Sequence, residues 1–299
     1  MTIFAFTPRL LDHLVLPVAT LANARARLAS LGFTVAADAR HPFGTENACV
    51  YFADNTYLEP LAVTDPSIAA AAAAEGNVFV ARDRAFRAAV GEEGFSGMVA
   101  GTPDAAADDR RFRDAGLSAG AMLSFERPVR MPDGTELTAG FKLAFAGDRR
   151  APNFLLFACE RINPLPADRS ALQRHDNGVG SIVAITLAAD VPADFQSLLQ
   201  TVYGAAAVPD GDGFSVMTSN ATISVLTPRR LREVLEIETP AAAGPGLRGA
   251  AVTFRCADLE VTAALLAANG VAFQRQGLRL LVPPAPGQGI TFIFQEPAE

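Results

Sequence analysis

The feature that most constrains this chain is a unit that recurs four times along its 299 residues: a strand, a helix ended by glycine, then further strands. In the first copy the run LLDHLVLPV (10–18) reads as strand, and Leu21, Ala24, Leu28 and Leu31 follow at helical spacing. Arg25 and Arg27 are expected to face water. Gly32 supplies the stop, since a residue without Cβ tolerates the turn at a helix C-terminus. Strand-like runs follow at 33–39, 48–53 and 56–63, with the loop RHPFGTEN (40–47) between the first two. Gly116, Gly204 and Gly270 take the place of Gly32 in the later copies, Gly116 lying 84 residues after Gly32. In the second copy a turn is expected at Pro132–Asp133–Gly134. Such self-similarity has to be recognised before a fold is named.

Two connectors punctuate the repeats, a proline-containing one at 163–174 and a Pro/Gly/Ala-rich one at 239–246. The modules therefore pair into two domains, 8–162 and 163–299, and the fold class is α+β. Residues 66–90 break the pattern. They are rich in helix formers and read as a connecting helix packed on the sheets, with Ser67 as its cap.

Bulk composition excludes several functions. Half of the chain is apolar and the net charge is −7, which argues against nucleic acid and anionic lipid as partners. Cys49, Cys159 and Cys256 form no CxxC pair, so a reducing cytoplasm fits. No secretory leader is read at the start, and the longest apolar run, 68–74, is too short to span a membrane. GxSxG, P-loop and GxGxxG patterns are absent. A small molecule remains as the expected partner, and a homodimer is compatible with the sequence.

Strand periodicity places Leu11, His13 and Val15 on one face of the first strand, and Tyr57, Glu59 and Leu61 on one face of the last. Each strand thus sets one ligand-type residue among apolar neighbours. Imidazole plus carboxylate suits a divalent ion (Zn, Mn, Fe or Ni) and equally a hydrogen-bonded pair that ties two strands. His41 is the candidate third ligand, or a loop histidine bonding substrate or backbone. Thr45 and Asn47 offer groups that grip a polar oxygen, or that only satisfy a turn. His175, in RHDNG, is a candidate to close over the pocket, or a solvated turn residue. Cys49 and Cys159 lie in apolar runs and read as core.

The stretch from His13 through His41, Gly44, Thr45 and Asn47 to Tyr57, Leu58 and Glu59 resembles the glyoxalase-like domain proteins of the vicinal oxygen chelate superfamily. That resemblance is specific over 10–63 and architectural beyond. It implies βαβββ modules paired into a cupped sheet, as in glyoxalase I, the bleomycin-resistance proteins and the extradiol dioxygenases. It also implies metal ligands from the first and last strands of each module, here His13 and Glu59, with His41, Thr45, Asn47 and Tyr57 around the substrate; His175 is added to that set from its place at the domain junction. The second module departs from the pattern. Gly97 falls opposite His13, and an apolar run with Glu160 just past it falls opposite Glu59. Modules three and four offer Ile185 and Ala251, so the second domain reads as degenerate. Two expectations follow: a metal-dependent lyase, isomerase or dioxygenase acting on a small oxygenated substrate, or a metal-free protein that binds a small molecule in the same cup.

Overall fold

The computed structural model describes residues 7–130, 135–163, 168–238 and 246–297. The expected turn at Pro132–Asp133–Gly134 lies outside these residues, as do 164–167 of the first connector and 239–245 of the second.

The first module comprises β1 (Leu11–Pro17), α1 (Leu21–Ser30), β2 (Ala39–Arg40), β3 (Thr45–Asn47), β4 (Val50–Tyr51) and β5 (Tyr57–Val63). Two helices, α2 (Pro66–Ala74) and α3 (Val78–Ala89), link it to the second module. That module holds β6 (Gly97–Gly101), α4 (Ala105–Asp114), β7 (Leu123–Arg130), β8 (Glu136–Ala146) and β9 (Leu155–Arg161). The third runs β10 (Val179–Ala188), α5 (Gln196–Tyr203), β11 (Ala207–Asp210), β12 (Gly213–Met217) and β13 (Thr222–Leu226), followed by α6 (Pro228–Leu235). The fourth is β14 (Arg248–Cys256), α7 (Leu259–Ala268), β15 (Gln274–Gln276), β16 (Arg279–Val282) and β17 (Thr291–Gln295).

These strands form two sheets, in the orders β2-β3-β5-β1-β6-β9-β8-β7, with β4 also on β5, and β11-β12-β13-β10-β14-β17-β16-β15. Each sheet is two modules joined through their first strands, which run antiparallel (β1 on β6, β10 on β14), while each first strand lies parallel to its module's last (β1 on β5, β6 on β9). This is the paired α+β architecture expected from the repeat, with the cupped sheets that the resemblance implies. All four helix-ending glycines adopt positive φ, from +59° at Gly204 to +84° at Gly32. That is the left-handed conformation a Cβ penalises.

The helices within the modules, α1, α4, α5 and α7, pack on one face of each sheet, and these two faces share a single core. Phe33 and Phe52 of the first half meet Phe254 of the second at ring distances of 5.3 and 5.6 Å. Leu14, Leu16, Leu28, Ile185 and Phe292 belong to the same buried cluster. Each opposite face is a cup, and each cup is filled. In the first, Phe79 and Val80 of α3 and Ala69 of α2 lie against Val15, Leu61, Phe145 and Phe157. In the second, Leu231 and Leu235 of α6 lie against Ala188, Ala251, Leu281 and Ile293.

Several local expectations change. Residues 66–90 form two helices, because Gly76 at φ +94° and Asn77, which caps α3, interrupt them. Asp65, not Ser67, caps α2, its carboxylate accepting from the Ser67 and Ile68 amides. Within 33–39 only Ala39 is strand, whereas Thr45–Asn47, read as loop, pairs with β5. Arg25 and Arg27 are half-buried: Arg25 donates to the Val35 and Ala36 carbonyls and pairs with Asp38, and Arg27 donates to Gln288. No described helix is long and apolar enough to cross a membrane.

Candidate active site

His13 and Glu59 meet on the cup face of the first sheet. β1 and β5 are parallel, with His13 beside Tyr57 and Val15 beside Glu59. Nε2 of His13 lies 3.4 Å from Oε2 of Glu59, and the two residues are 3% and 5% exposed. Tyr57 stacks on the imidazole at 4.3 Å, while Phe157 meets its edge at 5.8 Å.

The expected shared face of Leu11, His13 and Val15 does not hold. The β1–β6 register shifts between Leu11 and His13, which leaves Asp12 as an extra residue on β1. Leu11 consequently joins Leu14 and Leu16 in the helix-side core, whereas Val15 lies in the cup. The bulge lets the Asp12 carboxylate reach its neighbour, with Oδ1 2.6 Å from His13 Nδ1. Arg161, at the end of β9, clamps both Asp12 oxygens at 2.6 and 2.7 Å.

On the other side of Glu59 the β2–β3 hairpin supplies the remaining groups. Asn47 donates its amide to Glu59 Oε1 at 2.6 Å and lies 3.3 Å from His41 Nε2. His41 Nδ1 is 2.9 Å from the Thr45 hydroxyl. A continuous polar chain therefore runs Arg161–Asp12–His13–Glu59–Asn47–His41–Thr45, walled by Phe43, Phe79 and Phe125 around His41.

Burial opposes charge on His13, but the hydrogen bonds and charges of Asp12 and Glu59 outweigh it and raise its pKa. Burial likewise works against both carboxylates, and is overcome for Glu59 by His13 and for Asp12 by His13 and Arg161, so both are held low. The cluster thus favours the charged form of the His13 imidazole, set between two carboxylates and balanced by the Arg161 guanidinium. His41 is the opposite case. Burial pushes it down to about 4, so it is neutral. With Nε2 facing the Asn47 amide donor, its proton sits on Nδ1.

These donors do not fit a divalent ion as they stand. Among the described residues, no three or more His, Cys, Asp or Glu side chains are grouped to hold a metal. Nε2 of His13 already faces Oε2 of Glu59 at 3.4 Å, and the Asn47 amide fills the space between Glu59 and His41, which lie 3.8 Å apart. The other half of the cup adds nothing. By the β1–β6 and β6–β9 registers, Gly97 is the counterpart of His13, and Phe157 of Glu59. Glu160, just beyond, is spent on the amide of Ala105 at the start of α4. In the second sheet Ile185 lies in the shared core and Ala251 under α6.

His175 does not close over this site. Its Nδ1 accepts from the Thr34 amide at 3.0 Å, and its Nε2 donates to the Tyr51 carbonyl at 3.0 Å, on the helix side of the sheet beside Phe33 and Phe52. Both nitrogens serve the backbone, and burial lowers its pKa. Cys49 and Cys159 are buried, Cys49 with its thiol pushed up to about 12, as core residues are.

Sequence reasoning missed Asp12, Arg161 and Asp83. Asp12 had a signal, being a charged residue inside an apolar strand. Arg161 had none, since it lies 149 residues from its partner. Asp83 of α3 is 4% exposed over the first cup, with Oδ2 paired to Arg87 Nε at 2.8 Å.

Comparison with known proteins bears on this geometry. Residues 11–203 match the family described as glyoxalase-like domain. No curated protein matches the sequence. Similar solved structures include a hypothetical protein from Staphylococcus aureus (TM-score 0.67, 13% identity, covering 96% of this chain and 99% of that one). A mutant 4-hydroxymandelate synthase from Streptomyces coelicolor follows (0.62, 14%, 98% and 94%). So does a Mn(II)-bound glyoxalase from Novosphingobium aromaticivorans (0.56, 10%, 98% and 84%). At these identities the likeness is one of fold.

Proposed function

The chain belongs to the glyoxalase-like domain family, and from that premise we propose that it is an enzyme that moves protons on a small oxygenated substrate in the first cup. The observation that carries the reading is the buried His13 imidazole, its Nδ1 2.6 Å from Asp12 Oδ1 and its Nε2 facing Glu59 Oε2 at 3.4 Å. A charged, desolvated acid–base pair is a costly thing to bury, and such pairs concentrate at functional sites.

The roles follow from the chemistry of each group. Glu59, held ionised, takes a proton from a carbon next to the substrate's carbonyl. The enolate oxygen that results accepts a hydrogen bond from Nε2–H of His13, which Asp12 and Arg161 keep charged and aimed. In an α-hydroxy ketone the proton then returns to the former carbonyl carbon while the hydroxyl proton passes to the enolate oxygen, so the carbonyl and hydroxyl exchange places and the isomerisation is complete. Asn47 fixes the Glu59 carboxylate, and His41 and Thr45 fix Asn47. Tyr57 covers the imidazole. Zinc, manganese, iron or nickel, the ions the resemblance implies, find two adjacent donors here and lack the rest, so this reading rests on the protein's own acid and base.

The test is uptake of deuterium from D2O into small α-hydroxy ketones, followed by proton NMR, beside metal analysis of untagged protein. The expected result is exchange that falls at least about 100-fold in Glu59→Gln, with metal well below one ion per chain. No exchange by the wild-type chain on any such ketone would overturn the enzyme reading. One ion per chain, lost in both His13→Ala and Glu59→Ala, would replace the metal-free version. A binding protein is the second reading, favoured by the packing of Phe43, Phe79 and Phe125 around His41 and of Tyr57 and Phe157 against His13. It predicts ligand affinity that Glu59→Gln leaves within about threefold, and no exchange.

A further inference from the structure

The second half of the first cup holds a carboxylate that the chain described above does not use. Asp83 projects from α3 and is 4% exposed. Arg87 occupies one of its oxygens, Oδ2, while Oδ1 is buried with no hydrogen-bond partner among the described residues. Arg87 is itself spent: it also donates to the carbonyls of Val18, Leu61 and Glu92. A buried carboxylate oxygen left unmatched is destabilising, so packing alone does not explain it.

Asp83 lines a small cavity of about 10 Å³, together with Ser96, Gly97, Asn153, Leu61 and Phe157. That volume is close to the minimum for one water. Its place in the fold is informative. Val15 and Leu61, which also line it, are the next residues on the same strand faces as His13 and Glu59, two positions along. Two residues of strand span about 6.6 Å. Gly97, which lines the cavity, lies where the two-fold relation of the modules puts the counterpart of His13. Even one carbon there would approach the Leu155 carbonyl oxygen to 2.8 Å.

We propose that this cavity is a hydroxyl subsite: Asp83 Oδ1 accepts a hydrogen bond from the hydroxyl of a three- or four-carbon hydroxy-carbonyl compound whose carbonyl end lies at His13 and Glu59. The inference deepens the acid–base reading of the same cup and rests on it. Arg87 holds Oδ2 so that Oδ1 faces the ligand, and Ser96 and Asn153 supply further polar atoms at the same end. The ligand takes the space of the water-sized cavity and requires α3, with Phe79, to move outward to admit it. Specificity then comes from an oxygen that is satisfied only when a hydroxyl arrives.

The experiment compares two matched pairs of probes, hydroxyacetone with acetone and 4-hydroxy-2-butanone with 2-butanone, by NMR titration of the full chain. The wild-type chain is expected to bind the hydroxylated member of at least one pair about 10- to 100-fold more tightly, the range for a hydrogen bond to a charged group. In Asp83→Asn the preference is expected to fall below about threefold. Should that variant fail to fold, a crystal of the wild-type chain with 4-hydroxy-2-butanone decides: the hydroxyl is expected about 3 Å from Oδ1. A preference retained in Asp83→Asn, no preference in the wild-type chain, or a hydroxyl bound elsewhere would overturn the proposal. Deuterium exchange without any hydroxyl preference sinks this subsite alone. A preference erased by Asp83→Asn without exchange supports the subsite and sinks the acid–base reading instead.

Discussion

Replacing Asp12 by Asn tests the electrostatic logic of the site. Asp12 accepts two bonds from Arg161, at 2.6 and 2.7 Å, and one from His13 at 2.6 Å, while its own side chain is 5% exposed. An asparagine keeps one acceptor, enough for His13 Nδ1–H, but turns an NH2 toward the guanidinium and removes the charge. Breaking a buried pair by removing one partner costs about 3–5 kcal/mol. Arg161 is 34% exposed and can turn to water, so the lower end, about 3 kcal/mol, is expected in urea unfolding. The second readout is the titration of His13 itself. With three histidines in the chain, each imidazole is assignable by NMR. In the wild type His13 titrates above its ordinary value, His41 near 4 and His175 below its ordinary value. In Asp12→Asn the His13 value drops while that of His175 stays.

The pH dependence of stability changes with it. A raised folded pKa means that the folded state holds the proton more tightly. Its contribution is complete below the unfolded value of about 6.5 and is lost as pH rises through the folded value. Asp12→Asn should flatten that alkaline loss. An unmoved His13 titration, or a wild-type His13 at its ordinary value, would refute the argument.

Further outcomes are expected. His175 carries the opposite sign: being neutral when folded, it contributes fully above about pH 6.5, and that contribution is lost as pH falls toward its lowered folded value. His175→Ala orphans the Thr34 amide and the Tyr51 carbonyl and should cost about 3 kcal/mol, with a shallower acid loss of melting temperature; an unchanged acid limb would count against it. Phe79→Ala removes a buried ring from the mouth of the first cup, at about 3–5 kcal/mol by chemical denaturation, and should speed hydrogen exchange of the β5 amides. Gly97→Ala places a Cβ 2.8 Å from the Leu155 carbonyl oxygen and should destabilise by about 1–3 kcal/mol; a neutral result would show that β9 yields there.

Much of the architecture was legible in the chain itself. Glycine after a helical run, four times over, is a local signal, because the left-handed φ needed there depends on one residue and its neighbours. Helix and strand periodicity likewise located α1, β1 and β5, whereas the parallel pairing of β1 with β5 that brings His13 to Glu59 is set by the sheet. The short strands β2–β4 were less legible. The pairing of β3 and β4 with β5, and of β2 with β3, rather than any propensity in 33–53, decides them.

Tertiary structure decided the rest. One extra residue in β1 is invisible in the sequence, since an alternating pattern carries no mark of the partner strand's register. Yet that residue sends Leu11 into the core and brings Asp12 to His13. Arg161 enters the site because β9 lies beside β6, and Asp83 because α3 crosses the cup. In its turn-rich setting His175 read as a residue closing over the pocket or as a solvated turn residue. Only the fold reveals that two backbone groups, Thr34 N–H and Tyr51 C=O, occupy both of its nitrogens. Which residues can supply the chemistry was written in the order of the chain. Their protonation states were set by partners up to 149 residues away, because the Coulomb and hydrogen-bond terms that fix a buried charge depend on distance in space.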